Sequence, residues 1–193
     1  MTSSDPEALQ VAFHVLEVLD NLGVSYHLGG SYASAIHGIP RQTHDGNLVV
    51  DFFPGHAMSL TKALEGEFYV DEQAVARAVR ERTSFNLVHL ATGVKVDLFV
   101  KGSSAFDEAE FGRRVVVRLG DDPSRDVFVK SAEDTVLRKL LWYRLGGEVS
   151  DRQIEDIRGI LAMQAGRLDV AYLTRWADQL AIWDLLDEFL AKG

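Results

Sequence analysis

Asp45-Gly46-Asn47 heads the apolar run Leu48-Val49-Val50, and Asp97 sits in the middle of Val94-Lys95-Val96-Asp97-Leu98-Phe99-Val100. In extended chain, residues two apart face the same way. Asp45 and Asn47 therefore share one strand face, and Leu48, Val50 and Phe52 share the other. By the same rule Lys95 and Asp97 lie opposite Val94, Val96, Leu98 and Val100. A carboxylate inside an apolar strand needs a partner, so Asp97 has either a cationic neighbour, such as Lys95 or an arginine, or a metal ion. Gly29-Gly30-Ser31 follows a short apolar stretch and precedes a helical one. At that junction free backbone N–H groups and the helix dipole suit a phosphate, although the same three residues also make a plain turn.

The elements that must position these groups can be read from periodicity. Ser4 or Asp5 can cap a helix carrying Leu9, Val11, Ala12, Val15, Leu16 and Leu19, ended by Asn21 and Gly23. Val24–Leu28 reads as a strand, Tyr32–His37 as a short helix stopped by Gly38 and Pro40, and Leu48–Phe53 as a strand ending at Pro54. Helices follow near His56–Glu65 and Glu72–Arg82. Phe85–Leu90 and Val94–Val100 form a hairpin across Ala91-Thr92-Gly93, and Arg113–Leu119 with Asp126–Lys130 form a second. From Ser131 the chain is helical. Ser131 and Asp134 fit a capping box, Gly146-Gly147 break the first of these helices, and Ser150 or Asp151 caps the next. Asp169–Leu180 and Ile182–Leu190 close the chain. The expected architecture is α+β: a mixed sheet flanked by helices over residues 1–130, then a helical part over 131–193 packed on that core.

The chain has 193 residues and a formal net charge of -9, which argues against wholesale coating of nucleic acid. It has no cysteine, which excludes a thiol nucleophile, a zinc finger and a disulfide framework. Its N-terminus is polar and acidic and no apolar run reaches ~18 residues, so neither a secretory signal nor a membrane span is expected and the setting is cytoplasmic.

Taken in order, Gly29-Gly30-Ser31, Ala33, His37-Gly38, Arg41, Thr43, Asp45-Gly46-Asn47-Leu48-Val49-Val50 and Val96-Asp97-Leu98 resemble the minimal nucleotidyltransferase fold of the DNA polymerase β-like superfamily. Its hallmark is a Gly-Ser turn, a strand bearing Asp-x-Asp and a third Asp on a neighbouring strand. Ser131-Ala132-Glu133-Asp134, Lys139, Arg144, Ser150, Arg152 and Asp156 resemble the C-terminal motif of the AbiEii-like toxin nucleotidyltransferases and their bacterial relatives. The likeness spans about Leu28 to Leu161. It implies that Gly29, Gly30 and Ser31, with Arg41 and Thr43, hold a nucleoside triphosphate. It implies that Asp45, Asn47 and Asp97 are the magnesium positions, that Lys139 and nearby Arg144 meet the phosphates, and that Asp156 orients the lysine or serves as a polar partner in the cleft. Magnesium prefers carboxylate and phosphate oxygens, and two such ions clamp the attacking and leaving oxygens of an in-line displacement.

The sequence departs from that pattern at the second acidic position, which is Asn47, and at the middle position, Gly46, where a large aliphatic is usual. Asp51 is about 13 Å further along the strand, too far to substitute. Two functions follow. One is magnesium-dependent transfer of a nucleoside monophosphate from an NTP to RNA (tRNA), a protein side chain or a small molecule. The other is a degenerate nucleotide-binding or partner-binding module, as in a toxin and antitoxin pair. A dimerisation protein built on the last helices is a third possibility.

Other residues have plainer readings. His37, His44 and His56 lack paired metal-ligand spacing. Arg77, Arg80 and Arg82 fit the solvated face of a helix, with a phosphate or RNA surface as the alternative. Arg113 and Arg114 could pair with Asp97 or reach a phosphate. Trp142, Tyr143, Trp176 and Trp183 fit helix packing better than base stacking.

Overall fold

The computed structural model describes residues 6–40, 46–121 and 124–191. In chain order the elements are α1 (Pro6–Asn21), β1 (Tyr26–Leu28), α2 (Gly30–His37), β2 (Gly46–Val50), α3 (His56–Ala63), β3 (Phe68–Tyr69), α4 (Glu72–Glu81), β4 (Ser84–His89) and β5 (Lys95–Val100). They continue as α5 (Ala105–Gly112), β6 (Val115–Leu119), β7 (Arg125–Val129), α6 (Ala132–Leu145), α7 (Asp151–Met163), α8 (Val170–Gln179) and α9 (Trp183–Ala191).

The strands form one sheet in the order β3-β4-β5-β2-β1-β7-β6. It is mixed. β2 runs parallel to β5 and antiparallel to β1, while β1 runs parallel to β7. The two expected hairpins are present as the antiparallel pairs β4–β5 and β6–β7. Period-two alternation separates the faces. Leu48, Val50, Val96, Leu98 and Val100 are buried in a core shared with α1, α3 and α4. Asn47, Val49, Asp97 and Phe99 look to the other face, which α5 and α6 approach.

A second core fills the helical part, where Val136, Leu137 and Leu140 of α6 meet Ile157 and Ile160 of α7 and Leu173, Trp176 and Leu186 of the last helices. The two parts meet closely where α2 ends. A Cβ on Gly38 would stand 3.0 Å from the Ile160 amide nitrogen and 3.1 Å from the Gly159 carbonyl carbon, so only glycine lets α2 come this near to α7. Gln164 ties the same contact by donating to the His37 carbonyl at 2.8 Å.

Two expectations need correction. The chain between β5 and β6 contains α5, which the sequence reading left unassigned. Its signal is Ser104-Ala105-Phe106-Asp107, a complete capping box with both reciprocal hydrogen bonds. At α6 the reverse holds. The Ser131 hydroxyl oxygen accepts from the Asp134 amide at 3.1 Å, but the Asp134 carboxylate accepts from the Ser131 and Tyr172 hydroxyls, each at 2.6 Å. Burial raises the Asp134 pKa despite those two hydrogen bonds. The expected caps of α1, Ser4 and Asp5, lie outside the described residues.

Candidate functional site

Asn47 and Asp97 are register partners on adjacent parallel strands, so their side chains stand side by side on the open sheet face. Lys95, two residues back on the same face of β5, places Nζ 2.8 Å from an Asp97 carboxylate oxygen. The cationic neighbour expected of Asp97 is therefore Lys95. Neither arginine fills that place: Arg113 reaches Glu133 at 3.3 Å and lies over the Tyr172 ring, and Arg114 lies over Phe111 and Phe128. Asp45, Arg41, Thr43 and His44 lie outside the described residues.

The glycine turn rests on Asn47. The Gly29 amide donates to the Asn47 carbonyl at 2.9 Å, prolonging the β1–β2 ladder by one rung. Gly30 then turns with φ +50°, and a Cβ there would stand 2.9 Å from Asn47 Cβ. Both the left-handed backbone and the close approach demand glycine. Ser31 follows in the first turn of α2, so the N-terminus of that helix opens beside Asn47.

Across the cleft, Lys139 of α6 is held by α7. Its ammonium lies 2.7 Å from an Asp156 carboxylate oxygen and donates to the Gln153 side-chain oxygen at 3.0 Å. Arg144 does not line the cleft. Its guanidinium is taken by Glu148 and Asp184, both at 2.6 Å, near the far end of α6.

A buried charge network that the sequence reading did not single out backs the cleft. Glu110 of α5 receives Lys130 at 2.9 Å and Arg138 at 2.8 Å, and Arg138 also donates to Asp107 at 2.8 Å. Burial would push the Glu110 carboxyl up, but Lys130, His27 and Arg138 outweigh it and hold the group well below the usual carboxylate range. Burial pushes the Lys130 ammonium and the His27 imidazole down. The sequence signals were weak: Glu110 sits in the unassigned α5, Lys130 ends a strand, and Arg138 precedes the more conspicuous Lys139.

One cavity of about 720 Å³ is lined by Gly29, Gly30, Asn47, Lys130, Arg138 and Lys139, whereas Ser31, Asp97 and Asp156 are not among its lining residues. Lys130 lies against the glycine turn, where a Cβ on Gly29 would stand 3.7 Å from its Cε. Arg82 and Lys101 stand at a further edge. Arg82, read from the sequence as part of a solvated helix face, ends α4 in the left-handed region and donates to the Lys101 carbonyl at 2.8 Å. His37 is bound to the distant Lys130 carbonyl at 2.7 Å and His56 to the nearby Phe53 amide at 3.1 Å, so both serve backbone groups.

Solved structures share this fold. The chain is similar to the antibiotic-resistance factor ANT(2'')-Ia with a TM-score of 0.62 and 14% identity, over 95% of this chain and 98% of that one. It is similar to a nucleotidyltransferase-like protein from Paracoccidioides brasiliensis with a TM-score of 0.52 and 20% identity, over 90% and 89% of the two chains. The chain has the nucleotidyltransferase fold. The lincosamide antibiotic adenylyltransferase LnuA is a further likeness, with a TM-score of 0.50 and 13% identity over 83% of this chain and 98% of that one. No protein-family model matches the chain, and no curated protein matches it in sequence.

A nucleotidyltransferase fold raises the question of magnesium. Among the described residues no three His, Cys, Asp or Glu side chains gather closely enough to hold a metal ion. Asn47 and Asp97 offer one neutral oxygen and one carboxylate. That set fits a single magnesium, which keeps several waters and is commonly held by one or two carboxylates together with substrate phosphates. It does not fit two. Also among the described residues, no helix is long and apolar enough to cross a membrane.

Proposed function

We propose that the cleft binds a nucleoside triphosphate and that the chain transfers its nucleoside monophosphate to an acceptor: RNA such as tRNA, a protein side chain or a small molecule. The observation that carries this reading is that Gly29 and Gly30 of the turn, and Asn47 on which the turn lies, line one cavity with Lys139, while Asp97 is the register partner of Asn47. In the reaction an acceptor oxygen attacks the α-phosphorus and gives up its proton to solvent water. The bond from that phosphorus to the bridging oxygen breaks, and pyrophosphate leaves. The turn and the start of α2 direct backbone N–H groups at phosphate oxygens. Lys139, kept in place by Asp156 and Gln153, offsets charge growing on the departing pyrophosphate. Asp97 and Asn47, with Asp45 next in line, would hold a magnesium ion, which when bound supplies charge neutralisation on the phosphates.

The second reading is a nucleotide-binding or partner-binding module without transfer, of the kind a toxin and antitoxin pair would use, and akin to the AbiEii-like relatives. Two observations favour it: Asn47 carries no charge, and Lys95 already neutralises Asp97. One experiment separates the readings. Labelled ATP, CTP, GTP and UTP are supplied with magnesium, bulk tRNA and cell lysate to the parent and to Lys139→Ala. Label transferred by the parent and lost in the variant supports the enzyme. No transfer, with calorimetry still detecting nucleotide, supports the module. No transfer and no binding discards the transferase and the nucleotide-binding module, and leaves a fold used for partner contacts.

A further inference from the structure

Trp142 is 54% exposed, and among the described residues its indole makes no ring contact and no hydrogen bond. The sequence reading assigned it to helix packing, a role that Trp176 fills instead, buried against Phe106. Exposing a large indole forgoes the burial that usually justifies one. Yet Trp142 lines the cleft, three residues after Lys139 and so on the same face of α6.

The lining changes character along that helix. Thr135 is buried, Arg138 and Lys139 come next at the charged wall, and Trp142 stands at the open end. The rise from Thr135 to Trp142 is about 10 Å. With Val49 and Phe99, the indole supplies much of the apolar lining of a cleft whose other walls are largely cations, carboxylates and backbone. A ligand with an anionic end and a flat apolar end has one favourable orientation here, its phosphates toward the glycine turn and its ring toward the mouth.

We propose that the Trp142 indole is the stacking platform for the nucleobase, so that Lys139 and Trp142, on one face of α6, select the two ends of the same nucleotide. This inference rests on the nucleotide reading of the cleft. Stacking tolerates every base because each has a π-face, and the larger purine ring gains more from it.

Calorimetry with ATP, UTP and inorganic tripolyphosphate on the parent, Trp142→Leu and Trp142→Phe tests the idea. Losing one base-stacking contact should weaken ATP binding about 5- to 150-fold in Trp142→Leu. Tripolyphosphate binding should stay unchanged, Trp142→Phe should recover most of the ATP affinity, and the margin of ATP over UTP should shrink in Trp142→Leu. ATP affinity unaltered in Trp142→Leu overturns the inference while leaving the nucleotide site standing. An equal loss for ATP and tripolyphosphate marks a structural role and also overturns it. Failure of the parent to bind either ligand removes the nucleotide reading, and this inference with it.

Discussion

Asn47 of β2 and Asp97 of β5 occupy the same register position in the parallel ladder at the middle of the sheet, and Asp97 is bridged to Lys95 at 2.8 Å. A substitution at position 47 therefore acts directly on Asp97. Asn47→Asp places a second carboxylate beside the first, where the single Lys95 cation must serve both and, without a metal ion, the like charges repel. The expected outcome is a lowered melting temperature without magnesium and its recovery with millimolar magnesium, together with a rise in nucleotidyl transfer. Equal melting temperatures with and without magnesium would argue against a metal position here.

Lys139 and Asp156 should separate by role. If Lys139 meets the developing charge, Lys139→Ala costs about 10² to 10³ in transfer rate, the usual cost of removing one such contact. Asp156→Asn leaves Lys139 its Gln153 partner and should cost less, about tenfold. Rates measured at saturating nucleotide decide it, and a larger loss for Asp156→Asn than for Lys139→Ala would reverse the assignment.

Glu110 holds the buried Lys130 and the half-buried Arg138, so Glu110→Gln leaves both without a charged acceptor at that point. Removing one partner of a buried ion pair costs about 3 to 5 kcal/mol. Urea unfolding should report a loss of that order, whereas Glu108→Gln, whose carboxylate meets Lys101 near the surface, should change stability by less than about 1 kcal/mol.

Stability should fall on acidification in two stages. Burial holds His27 and His37 below their ordinary 6.5, so below that pH the unfolded chain takes up protons that the folded chain refuses. Stability then declines from about pH 6.5 toward the lowered folded values. Asp107 and Glu110, held below their ordinary 3.8 and 4.5, contribute stability that is complete above those values and is lost as pH falls further. Urea midpoints measured from pH 8 to pH 3 should show both limbs. A flat profile between pH 7 and pH 5 would contradict the histidine limb.

Gly38→Ala tests the contact between α2 and α7. The new methyl would meet backbone atoms of α7, which cannot turn aside as a side chain can, and overpacking of this kind costs about 1 to 3 kcal/mol. Gly112→Ala, where a Cβ meets nothing within 4 Å, is the control and should be near neutral.

Local chemistry settled much of this molecule in advance. Period-two alternation in Leu48–Phe53 and Val94–Val100 determines which residues face the core, and that alone predicts that Asn47 and Asp97 emerge on their strands' polar faces. Gly29-Gly30-Ser31 is legible because a turn into a helix needs glycine's backbone freedom, and Ser131 and Ser150 are legible because helix N-termini need side-chain acceptors. Partnership over long range is a different matter. That Asn47 stands opposite Asp97 depends on β2 and β5 pairing in parallel across some fifty intervening residues, and spacing within one strand carries no register with another. Glu110, Lys130 and Arg138 are ordinary charges in a list of residues. Only packing α5 and α6 over the sheet removes them from water and makes them a unit. Trp142 and Trp176 show the same division: helical spacing treats them alike, and the fold buries one while leaving the other open at the mouth of the cleft.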